Sequence, residues 1–128
     1  MTVEKEDPIK IHKQGNMRYD TGNYKEAGEK FLIASKLYEK KGNYFDASNM
    51  MFKAGECSFL MEDYKTAIDL FKNSSEVAFS KGFDRFGVSA LEYLFDCYKA
   101  LKKEKSNDAK KLKKRIKEIK KKLAEQYF

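Results

Sequence analysis

Apolar residues recur along most of this chain at intervals of three and four, the period of a helix lying on a core. Ala27, Phe31, Ala34 and Tyr38 fall on one face, and so do Ala67, Phe71, Ser74 and Ala78. Neither run alternates as a half-buried strand would. The runs are punctuated regularly. Gly22, Gly42 and Gly82 stand where helices should end, because glycine tolerates the left-handed backbone past a last turn. Asn23 and Asn43 follow at once and can cap the next helix through their side-chain oxygens. Glu26 and Asp46 lie three residues later, near the positive end of the new helix. Asp63 takes the capping place at the junction that lacks glycine, and Asp7 caps the first helix ahead of Pro8, a residue well tolerated at the first helical position. The spacing predicts about six helices, near 8–21, 24–40, 44–61, 64–80, 84–102 and 107–126. Links this short force neighbours antiparallel, so consecutive helices pair as hairpins in an all-α fold.

The pattern repeats at a longer period than one helix. GNYKEA at 22–27 returns as GNYFDA at 42–47, and in part as MEDYKTA at 61–67 and KGFDRF at 81–86. The better matches are 40 residues apart: Gly15 with Gly55, Tyr24 with Tyr64, Ala27 with Ala67, Phe31 with Phe71, Cys57 with Cys97. The repeating unit is therefore a two-helix hairpin, and such units are stable only when stacked. Gly15 and Gly55 lie mid-helix, where glycine costs about 1 kcal/mol relative to alanine. Close approach of the partner helix, with Ala27 and Ala67 across the contact, is the expected compensation.

Two runs of five residues, Gly15, Tyr24, Ala27, Phe31, Ala34 and Gly55, Tyr64, Ala67, Phe71, Ser74, resemble the tetratricopeptide repeat. The match covers residues 8 to 81, and residues 84 to 127 follow as a degenerate third hairpin. The 40-residue period, longer than the usual 34 or so, resembles the soluble NSF attachment protein branch. The resemblance implies a short right-handed stack of antiparallel hairpins whose first helices line a concave groove for a peptide or partner helix. By position the lining would be Ile9, His12, Lys13, Asn16, Tyr19, Asn49, Phe52, Lys53, Glu56 and Phe59. Some members of the family clamp a peptide carboxylate with Lys and Asn. Asn16 matches one such position, whereas His12 stands where a lysine is expected and Lys53 where an asparagine is expected.

Composition adds the class and the compartment. The 128 residues suffice for one domain and one core, and 41% hydrophobic with 37% charged residues fits a water-exposed helical protein. No apolar run approaches the roughly 20 residues that span a bilayer. MTVEKEDP at the start lacks the apolar stretch of a secretory signal, so a cytoplasmic location with reduced Cys57 and Cys97 is expected. The net charge of +7 divides unevenly: residues 1–101 carry −1 and residues 102–128 carry +8.

Most of that charge, +6, belongs to the last segment, 107–128, which holds the last predicted helix. Ala109, Leu112, Ile116, Ile119 and Leu123 draw one narrow apolar stripe along it. Lys110, Lys111, Lys113, Lys114, Arg115, Lys117, Lys120, Lys121 and Lys122 cover the remaining surface. Repeat arrays need a terminal helix with a polar outer face, and this segment suits that capping role. The same basic face could instead meet nucleic acid through its phosphates, an anionic membrane surface, or an acidic helix in a coiled coil. The scarcity of arginine and aromatics in the tail favours nonspecific contact over sequence readout.

Catalytic chemistry finds no footing. His12 is the only histidine, and no Ser, Cys or acid stands at a recognisable partner spacing. Cys57 and Cys97 occupy equivalent repeat positions, read as buried inert thiols rather than as a metal site. The helix from Tyr44 to Met61 is apolar nearly all round, which fits a central helix packed on both flanks. Phe52 and Phe59, seven apart on it, could leave an apolar strip in the groove. The expected function is a non-catalytic protein-interaction module without cofactor or metal, with nonspecific binding of nucleic acid or an anionic surface through the tail as the alternative.

Overall fold

The computed structural model describes residues 6–126, so Tyr127 and Phe128 of the expected capping segment lie outside the described residues. Six helices follow in order: α1 (Pro8–Asp20), α2 (Tyr24–Lys40), α3 (Tyr44–Leu60), α4 (Tyr64–Ser80), α5 (Asp84–Ala100) and α6 (Asn107–Glu125). Among the described residues there is no strand. Every helix start falls where the sequence predicts it, and the ends lie within two residues of expectation.

Of the four caps expected from sequence, three form. The Asp7 carboxylate accepts from the Ile9 N–H at 3.0 Å, Asn23 from the Glu26 N–H at 3.4 Å and Asp63 from the Thr66 N–H at 3.3 Å. Asn43 makes no side-chain cap bond, although its surroundings in sequence match those of Asn23. Ser106 supplies a cap that the repeat does not announce, accepting from the Ala109 N–H at 3.2 Å.

The junctions share one backbone conformation. Gly22, Gly42 and Gly82 have φ of 80°, 77° and 83°. Glu62 and Lys102 take the same left-handed form, with φ of 62° and 58°. For a residue with a Cβ this costs on the order of 1 kcal/mol. Glu62→Gly should therefore raise stability by up to about 1 kcal/mol in urea unfolding, and Gly42→Ala should lower it by a similar amount. A destabilised Glu62→Gly would show that its side chain, not the backbone, governs that turn.

Inside the hairpins the mid-helix glycines act as expected, but their partner is a ring. A Cβ on Gly15 would lie 2.6 Å from Phe31 Cε1, and one on Gly55 would lie 2.8 Å from Phe71 Cε1. Both phenylalanines are fully buried. Gly87 repeats the device outside the 40-residue register, 2.7 Å from the Phe79 ring. Buried serines tie neighbouring helices together. The Ser48 hydroxyl donates to the Ser74 carbonyl and the Ser74 hydroxyl to the Ser48 carbonyl, each at 2.9 Å, while Ser35 donates to the Ala47 carbonyl at 2.9 Å. Each bond satisfies a hydroxyl that burial would otherwise penalise.

The odd-numbered helices meet along one face. Lys53 Nζ donates to Asn16 Oδ1 at 3.5 Å, joining α3 to α1, and the Phe52 and Tyr93 rings, 4.7 Å apart, join α3 to α5. On the opposite face the Arg115 guanidinium lies 5.1 Å from the Phe79 ring and joins α6 to α4. α6 also packs along α5. Ala109 and Leu112 are buried there, whereas Ile116, Ile119 and Leu123 are half-buried, so the seam loosens toward the end of the helix. No helix among the described residues is long and apolar enough to cross a membrane.

Candidate binding groove

Three odd-numbered helices converge on a cleft of about 160 Å³. α1 contributes Tyr19, α3 contributes Glu56, Phe59 and Leu60, and α5 contributes Tyr93 and Asp96. Aromatic neighbours hold three of these side chains from outside the cleft. The Tyr19 ring meets Tyr24 edge-on at 5.4 Å, Phe59 meets Tyr64 at 5.2 Å, and Tyr93 meets Phe52 at 4.7 Å. Such contacts limit rotamer freedom, which lowers the ordering cost of binding.

Of the groove residues expected from sequence, Tyr19, Glu56 and Phe59 come together in this cleft, and the others take different places. His12 is half-buried in the seam between α1 and α2, with Nδ1 3.2 Å from the Tyr38 hydroxyl and its ring edge-on to Phe31 and Tyr38. Burial, and then the Lys53 charge, lower its pKa, while Asp46 opposes them, so the neutral ring is favoured. Asn16 is engaged by Lys53, whose ammonium also sits 5.5 Å from the Phe31 ring centroid. Phe52 is half-buried in a ring cluster with Phe71, Phe86 and Tyr93. Ile9 and Lys13 are exposed and Asn49 is half-buried, all three outside the cleft.

Tyr93 and Asp96 were missed from the sequence, yet the signal was present. They lie 40 residues beyond Lys53 and Glu56, so the repeat that aligned α1 with α3 also reaches α5. Both residues further border a second cleft of about 390 Å³ between α5 and α6, beside Glu92, Lys113 and Ile116.

The charges around the groove are unevenly satisfied. Desolvation raises the pKa of Glu56, and Lys53 only partly offsets it. Burial, with Glu56 as a further cause, likewise raises the pKa of the Tyr19 hydroxyl. A raised carboxyl pKa means that folding favours the protonated acid. The associated stability is present below the unfolded value and is lost as pH rises through the folded one. Glu56→Gln should therefore be more stable than the parent chain near pH 7, with the difference vanishing toward pH 4. A thermal melt series in pH tests this, and a difference that grows on acidification would refute it. Cys57 and Cys97 are free and buried, and desolvation pushes their thiols up to about 11 and about 12. Protonated thiols of this kind are poor nucleophiles and poor metal ligands.

On α6 the side chains of Lys110, Lys113, Lys114, Arg115, Lys117, Lys120 and Lys121 are all exposed. Lys120 pairs with Glu92 at 3.1 Å, and Arg115 lies on Phe79. The others form a basic outer face. Comparison with family models, with curated proteins and with solved structures finds no match for the chain.

Proposed function

We propose that this chain is a non-catalytic, tetratricopeptide-like interaction module that holds a peptide or partner helix along the face shared by α1, α3 and α5. The observation that carries this reading is the convergence of aromatic and acidic side chains from three separate helices on one cleft. A site assembled from three elements is preset by the fold, which suits recognition by a rigid scaffold. No cofactor or metal enters the reading, and α6 serves as the polar cap of the stack.

Site-specific crosslinking tests it. A benzophenone side chain in place of Tyr93 should yield a discrete adduct in lysate of the native host, and one in place of Lys36, exposed on α2, should not. Adducts of equal yield from both positions would overturn the reading. So would adducts obtained only from Lys114 on α6. The second reading, nonspecific contact of α6 with nucleic acid or an anionic surface, is favoured by its row of exposed lysines. It requires binding that is indifferent to sequence and falls steeply with salt.

A further inference from the structure

The geometry points to a lysine side chain of the protein partner as the group that enters the cleft between Tyr19, Glu56, Phe59, Leu60, Tyr93 and Asp96. This rests on the interaction-module reading above and adds the chemistry of the occupant. The cleft measures about 160 Å³. Pockets for drug-sized ligands run to about 300–1,000 Å³, so this one suits a single side chain rather than a turn of helix.

Its lining selects the sign of charge. Tyr19, Phe59 and Tyr93 supply aromatic walls, which attract a cation through the ring quadrupole. Glu56 and Asp96, equivalent positions in successive repeats, supply two carboxylates from two helices. The basic residue that most affects Glu56, Lys53, has its ammonium directed to Asn16 and the Phe31 ring. Lys99 lies only at the limit of ion-pair range from Asp96, at 4.0 Å on an exposed surface. An anionic side chain would meet two like charges, and an apolar one would desolvate both carboxylates without replacing their water. An ammonium on an apolar stem answers both needs, because the stem lies along Leu60 and the rings while the head meets the acids. Lysine fits better than arginine, since a compact charge with three rotatable donors can serve two carboxylates on different helices. The planar arginine fork instead matches one carboxylate at a time.

The test uses the isotope-labelled full chain, with amide shifts followed by NMR. Three heptapeptides are titrated: acetyl-Ala-Leu-Ala-Lys-Ala-Leu-Ala amide and its norleucine and glutamate counterparts. The lysine peptide should shift the amides of Tyr19, Phe59 and Tyr93 saturably, about tenfold more tightly than the norleucine peptide. The glutamate peptide should bind more weakly than either. The isosteric variant Glu56→Gln/Asp96→Asn, its fold checked by the rest of the spectrum, should reduce the lysine peptide to the norleucine level. Equal affinity of the lysine and norleucine peptides at these amides would overturn the cation while leaving the groove. Shifts mapped elsewhere, or none with any of the three, would overturn both.

Discussion

Gly55→Ala should destabilise the protein by about 1–3 kcal/mol, the reverse of what the same change does on an exposed helix, where alanine gains about 1 kcal/mol. The added methyl carbon would stand 2.8 Å from Phe71 Cε1, closer than real contacts come, and Phe71 has no solvent to retreat into. For a chain of this length each kcal/mol moves the midpoint by about 3–5 °C, so the loss is easily seen in a thermal melt. Gly55→Leu should prevent the native fold altogether. The contact itself is isolated by a second change. Phe71→Leu alone leaves a cavity and is destabilising. Combined with Gly55→Ala, it gives the methyl room, so the double variant should be less destabilised than the two singles predict, by about 0.5–3 kcal/mol. Gly15→Ala against Phe31, 2.6 Å away, should behave in the same way. A higher melting temperature for Gly55→Ala, or strict additivity with Phe71→Leu, would remove ring-on-glycine packing from the account of this fold.

The residues that were legible in sequence are those whose behaviour is local. A left-handed backbone at Gly22, a cap at Asp63 and an apolar face through Phe31 are decided within a turn or two, so their signatures survive without knowledge of the fold. What depended on neighbouring helices was less visible. Gly15 and Gly55 announced a close approach by costing helix propensity, but nothing local said that a phenylalanine ring would fill the hollow. The pair of Gly87 and Phe79 breaks the repeat and gave no signal. Ser74 reads as a small residue equivalent to Ala34, yet its hydroxyl is spent on a reciprocal bond with Ser48 across two helices. Asn43 shows the converse, a good local signature whose bond does not form. At the groove, helix periodicity assigned a face to His12 and Phe52 but could not decide how far each would turn into the seam beside it. Tyr93 and Asp96 were within reach of the 40-residue step and were lost because the third hairpin matches the repeat poorly.

Deleting residues 107–128 should cost several kcal/mol and leave a chain that associates. Burial of Leu112 is worth about 1.5–3 kcal/mol, and half-burial of Ile116, Ile119 and Leu123 adds roughly half as much for each. Even after the entropy of ordering α6 is subtracted, that is a large part of the about 5–15 kcal/mol that holds a domain together. The deletion also uncovers Leu91 and Leu94, which α5 buries beside Leu112. The mutual repulsion of the lysines cannot offset these quantities, because their side chains stand in water and are screened within about 10 Å at ordinary salt. Added salt should therefore leave the stability of the full chain unchanged or raise it slightly. Point changes grade the same seam. Leu112→Ala, at a buried site, should cost about 2–5 kcal/mol. Leu123→Ala, where the packing has loosened, should cost less than about 1 kcal/mol. A truncated chain that stays monomeric and as stable as the parent would show that α6 caps nothing, and its net charge of +6 would then have to be explained by a partner.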